Sequence, residues 1–148
     1  MKKNTLFHIA LVLLTVLALT SVAADFSGRK FTTTLTGAAE VPGPGDPDGS
    51  GTATVWLNPG QEEVCWEIHV EDITLPATGA HIHVIDPALG FGDVVVGLAP
   101  PDASGDSRGC TSADRDLIKA IIKNPQNYYV NVHTTDFPGG AVRGDLSK

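Results

Sequence analysis

The segment Glu63–Glu71, EVCWEIHVE, alternates in character without a break. In an extended chain Val64, Trp66, Ile68 and Val70 fall on one face, and Cys65, Glu67 and His69 on the other. This period of two defines a β-strand with one buried face. Shorter runs of the same kind follow Lys30–Gly37, Thr52–Asn58, Gly79–Ile85, Val94–Leu98, Tyr128–Thr134 and Ala141–Leu146. Proline and glycine divide them, at Val41–Gly51, Pro59-Gly60 and Pro138–Gly140. About seven short strands separated by turns predict an all-β fold, a Greek-key sandwich or small barrel.

The period changes once. Ser112–Lys123 reads as one short helix, with Ser112 as N-cap and Asp114 and Asp116 near its start. Leu117, Ala120 and Ile121 form its expected apolar stripe. Asn124-Pro125 ends it.

Residues 1–24 have the make-up of a secretory signal peptide. Lys2-Lys3 is a basic start, Leu6–Leu19 is an apolar run, and Ser21-Val22-Ala23 and Val22-Ala23-Ala24 both offer small residues for cleavage, before Ala24 or Asp25. The run is short for a membrane span and contains His8. No cysteine stands directly after the cleavage region, which argues against a lipid anchor there. The expected mature chain, residues 25–148, is long enough for one domain. Its localisation is then secreted or periplasmic, with no membrane insertion after cleavage.

The whole chain carries a net charge of -7, and losing Lys2 and Lys3 makes the mature part more acidic. An acidic domain with no basic run does not suit nucleic acid or an anionic membrane surface. After export, Cys65 and Cys110 read as a disulfide, with two free thiols as the alternative.

The histidines carry the chemistry. Ala80, Ile82 and Val84 form the apolar set of their strand, so His81 and His83 share the opposite face. In Tyr128–Thr134, Val130 and Val132 point inward, leaving Tyr129, Asn131 and His133 outward. In the last strand Val142 and Leu146 point inward, and Arg143 and Asp145 outward. If these strands are neighbours, His81, His83 and His133 converge into a three-histidine site suited to copper or zinc. Otherwise they are polar residues on a solvated face. His69, beside Glu67 and Glu71, is expected on the surface.

Several segments resemble the CHRD domain, named for chordin. They are Gly79–His83 with Gly92–Leu98, Asn124–Thr134 with Phe137–Leu146, and the Ala39-Glu-Val-Pro42 that closes the first strand region. The resemblance spans about Lys30 to Leu146. That family occurs in a secreted antagonist of bone morphogenetic proteins and in many exported microbial proteins, generally without an assigned activity. It has been likened to copper–zinc superoxide dismutases, which implies an immunoglobulin-like β-barrel. On that likeness His81, His83 and His133 match copper ligands, and Arg143 looks like the arginine that guides superoxide. Val84–Gly92 holds one acid, Asp86, and neither it nor Asp93–Gly109 contains histidine, so a bridged copper–zinc pair is not expected.

Other motifs are weaker. Asp46–Gly51 resembles the start of a calcium loop, but its twelfth position is Leu57 rather than glutamate. Ser107 and Ser112 do not sit in a nucleophile elbow, and Glu62-Glu63 point to opposite faces. Trp66 belongs to the core, and Trp56 needs a loop or the helix to cover it. The leading expectation is a non-enzymatic extracytoplasmic binding module for a metal or an unknown protein partner. The alternatives are a dismutase-like copper redox enzyme and a structural or adhesive domain.

Overall fold

The computed structural model describes residues 26–147. The signal peptide expected over residues 1–24 lies outside the described residues. The strands are β1 (Arg29–Thr36), β2 (Ser50–Asn58), β3 (Glu63–Glu71), β4 (Gly79–Val84), β5 (Val94–Leu98), β6 (Asp106–Ser112), β7 (Tyr128–His133) and β8 (Val142–Asp145), with helix α1 (Arg115–Lys123) between β6 and β7. They form one antiparallel sheet in the order β5-β4-β7-β8-β1-β2-β3-β6. The edge strands β5 and β6 approach each other, so the sheet curls into a nearly closed barrel. The expected all-β architecture with one short helix is the one observed.

The alternating apolar sets meet inside. Leu35, Val55, Leu57, Val64, Ile68, Val70, Ile82, Val130, Val132 and Val142 are all buried, and Ile118 and Ile121 of α1 join the same core. Trp66 is buried with them, and its indole N–H donates to the Ser107 hydroxyl at 2.9 Å. Opposite it, a Cβ on Gly109 would come within 2.8 Å of the indole, so glycine makes the room for the ring. Trp56 lies outside the core, where Phe26 covers it edge-on at 4.8 Å between ring centroids.

Three expectations need correction. The first is β6, an eighth strand that the sequence reading left unassigned. Its residues DSRGCTS lack a run of apolar side chains, and pairing with β3 holds it. That pairing sets Cys65 opposite Cys110, and the disulfide between them closes there.

The second is the helix start. Ser112 belongs to β6, so the helix begins later and Asp114 caps it, its carboxylate accepting from the N–H groups of Asp116 and Leu117. The helix buries Ile118 and Ile121, with Leu117 and Ala120 only half-buried.

The third concerns the face opposite the core on β4, β7 and β8. His83, Tyr129, Asn131 and Arg143 are on that face as expected, yet they are buried rather than turned to water. The loop between β4 and β5 lies over them, with the Gly90 carbonyl on Arg143 and the Gly92 carbonyl on His83. The loop after β1 meets it there, Val41 coming against Gly90. Alternation fixes the face of a strand but not what a loop later covers.

Candidate metal centre

Strand pairing brings the histidines together. In the β4–β7 register Gly79 lies opposite His133, His81 opposite Asn131, and His83 opposite Tyr129. The ring centroids of His81 are 5.5 Å from His83 and 5.0 Å from His133, and those of His83 and His133 are 6.4 Å apart. One nitrogen from each residue lies within 4.8 Å of the other two. Metal–nitrogen bonds are about 2.1 Å long, so side-chain rotations on the order of an ångström bring all three onto one ion.

Gly79 makes this close approach possible. A Cβ at that position would come 3.1 Å from His81 Cε1 and 3.5 Å from His133 Cδ2. The bare backbone leaves room for both rings. The glycine that opens the strand, directly before Ala-His-Ile-His, is the available signal, since strand glycines mark close approach.

The protons are placed by backbone carbonyls, which can only accept. His83 Nδ1–H donates to the Gly92 carbonyl at 2.9 Å, and His133 Nδ1–H donates to the Pro138 carbonyl at 3.0 Å. In the neutral form of each ring this bond leaves the lone pair on Nε2. His83 Nε2, His133 Nε2 and His81 Nδ1 are all buried without a hydrogen-bond partner. An unsatisfied buried polar atom costs about 1–3 kcal/mol, so three in one place call for a ligand.

Electrostatics favours the neutral rings that a metal needs. Burial pushes the His81 pKa below the ordinary histidine value, and His133 and His83 push it further, with Asn131 opposing. Burial likewise lowers His133, against the Pro138 hydrogen bond, and His83 adds to the lowering. Near neutral pH both rings present lone pairs rather than charge.

No carboxylate belongs to this cluster among the described residues. The Asp86 carboxylate accepts from the Ala88 N–H in its own turn. His69 is exposed and stands elsewhere, bound to Asp106 at 2.8 Å and Glu71 at 3.2 Å. A second group, Glu63, Cys65 and Cys110, offers no thiolate because its sulfurs form the disulfide. In the Asp46 turn the carboxylate accepts from the Asp48 N–H.

Arg143 departs from the role its resemblance implied. Guiding an anion needs a guanidinium turned to solvent, but Arg143 is only 3% exposed. Its Nε and Nη2 donate to Asp145 Oδ1 at 3.0 and 2.9 Å, and its Nη1 to the Gly90 carbonyl at 2.8 Å. Glu40, which the sequence places only in the Ala39–Pro42 motif, is a buried acid on the loop after β1.

The molecule is thus an antiparallel β-barrel domain that gathers three imidazoles on its outer face, beneath its own loops. The CHRD domain family model matches residues 31–146, and the chain belongs to that family. No curated protein matches the chain.

Proposed function

We propose that this protein is an exported CHRD-domain module that holds one copper or zinc ion through His81, His83 and His133. The observation that carries the reading is the convergence of three buried, unpartnered imidazole nitrogens. A donor set of neutral nitrogens suits copper or zinc, whereas calcium and magnesium take oxygen ligands. Bound copper supplies one-electron chemistry, and bound zinc a fixed positive charge.

Export is supported by the Cys65–Cys110 disulfide, which persists in oxidising compartments. Among the described residues no helix is long and apolar enough to cross a membrane. The likeness to superoxide dismutases rests on the histidine motif, and the engaged Arg143 counts against an anion-steered enzyme. The proposal is therefore a binding module rather than a catalyst.

The test is calorimetric titration of zinc and of copper(II) into the oxidised chain from residue 25, beside its His81→Ala variant. Saturable one-to-one binding that the variant loses is expected. No binding, or equal binding by both proteins, overturns the proposal.

A further inference from the structure

Tyr129 sits between two flat groups. Its ring stacks on His83 at 4.7 Å between centroids with 7° between the planes. From the β8 side the Arg143 guanidinium lies 3.6 Å from the centre of the same ring. Strand order explains the layering, because β7 runs between β4 and β8. The three side chains also hold one loop. Arg143 donates to the Gly90 carbonyl, His83 donates to the Gly92 carbonyl, and the Gly92 backbone hydrogen-bonds the Tyr129 hydroxyl.

We propose that Arg143 and Tyr129 are positioning residues that fix the ring plane and tautomer of His83, through the stack and through the Gly90–Gly92 loop. The inference rests on the metal reading above and assigns the arginine a geometric role. A planar guanidinium with a rigid fork of donors can stack and clamp at once, which a lysine ammonium cannot do. Asp145 balances its charge at 2.9 Å. Outer groups that orient a ligating histidine typically govern metal affinity by about 10- to 100-fold.

The competing account treats Arg143 as a charge, and it predicts the opposite sign. A bare cation beside the site repels a metal ion, so removing it would tighten binding. The variants are Arg143→Lys, Arg143→Gln, Tyr129→Phe and Tyr129→Leu, each checked for fold by near-UV circular dichroism. Two quantities are measured: zinc affinity by chelator competition, and the His83 tautomer in metal-free protein by long-range proton–nitrogen NMR.

Positioning predicts that Arg143→Lys, Arg143→Gln and Tyr129→Leu weaken zinc binding by about 10- to 100-fold. The same variants should lose the uniform Nδ1–H tautomer of His83, while Tyr129→Phe, which keeps the stack and loses only the hydroxyl contact with Gly92, should lose less zinc affinity than Tyr129→Leu. Should the Arg143 variants not fold, the Tyr129 pair decides. Tighter zinc binding in Arg143→Gln with wild-type binding in Arg143→Lys overturns the proposal, as does an unchanged tautomer in Tyr129→Leu. If wild-type protein binds no zinc, the metal reading fails, and the tautomer measurement still decides the brace.

Discussion

Replacing Glu40 by glutamine should stabilise the protein above neutral pH. Glu40 is 7% exposed, and its carboxyl packs over Gly140, whose φ is +143°. A Cβ on Gly140 would lie 2.4 Å from the carboxyl, so glycine serves there both for its backbone and for space. Glu40 Oε1 is buried without a partner. Burial raises the pKa from 4.5 to about 7, against the attraction of Arg143 and a backbone hydrogen bond from Val41.

The unfolded chain therefore ionises first as pH rises. Between 4.5 and about 7 the native state holds the extra proton, so this group's contribution to stability falls across that window and levels off above it. Each pKa unit is worth about 1.4 kcal/mol, which gives an upper bound of about 3 kcal/mol. Urea denaturation of wild type and Glu40→Gln is to be compared at pH 4.5 and pH 8. The two should match at the lower pH. At the higher pH the variant should be more stable, by up to about 3 kcal/mol, with an unchanged urea slope. A pH-independent difference, or a less stable variant at pH 8, would refute the reasoning. It would mean that Arg143 holds the carboxylate ionised throughout.

Three further outcomes are expected. Replacing both cysteines by alanine should cost no more than about 4 kcal/mol in urea denaturation, the chain-entropy figure for a 45-residue separation; no loss at all would mean that β6 holds its place without the bridge. Gly79→Val should abolish zinc binding while the far-UV spectrum stays native, since its side chain enters the space between the His81 and His133 rings. In metal-free protein, His81 and His133 stay neutral after their unfolded counterparts protonate, so their contribution is lost as pH falls below about 6.5. Wild type should therefore lose stability relative to His81→Gln between pH 7.5 and 5.5, and a parallel decline would contradict the burial of that ring.

Much of the barrel is legible because one face of each strand is buried. The intervals of β3 and β5 coincide with the sequence reading, and those of β1, β2, β4, β7 and β8 lie within about two residues of it at each end. Strand β6 escapes because its inward residues include Ser107 and Gly109, which serve the Trp66 indole rather than form an apolar stripe. The three histidines are legible as a face, since period two places His81 and His83 together. Their meeting with His133 depends on the β4–β7 pairing, a contact between distant segments that periodicity does not encode. The roof over them is illegible for the same reason. Nothing in the Asp86–Gly92 sequence announces that Gly90 and Gly92 will present carbonyls to Arg143 and His83. Glu40 read as part of a family motif, and its burial appears only once Gly140 is folded against it.

Anomalous diffraction from crystals of the oxidised protein grown with zinc tests the central claim most directly. The account predicts one dominant peak among His81 Nδ1, His83 Nε2 and His133 Nε2, with bonds of about 2.1 Å. A map with no peak there, or with its strongest peak at the exposed His69–Asp106 pair, would contradict it.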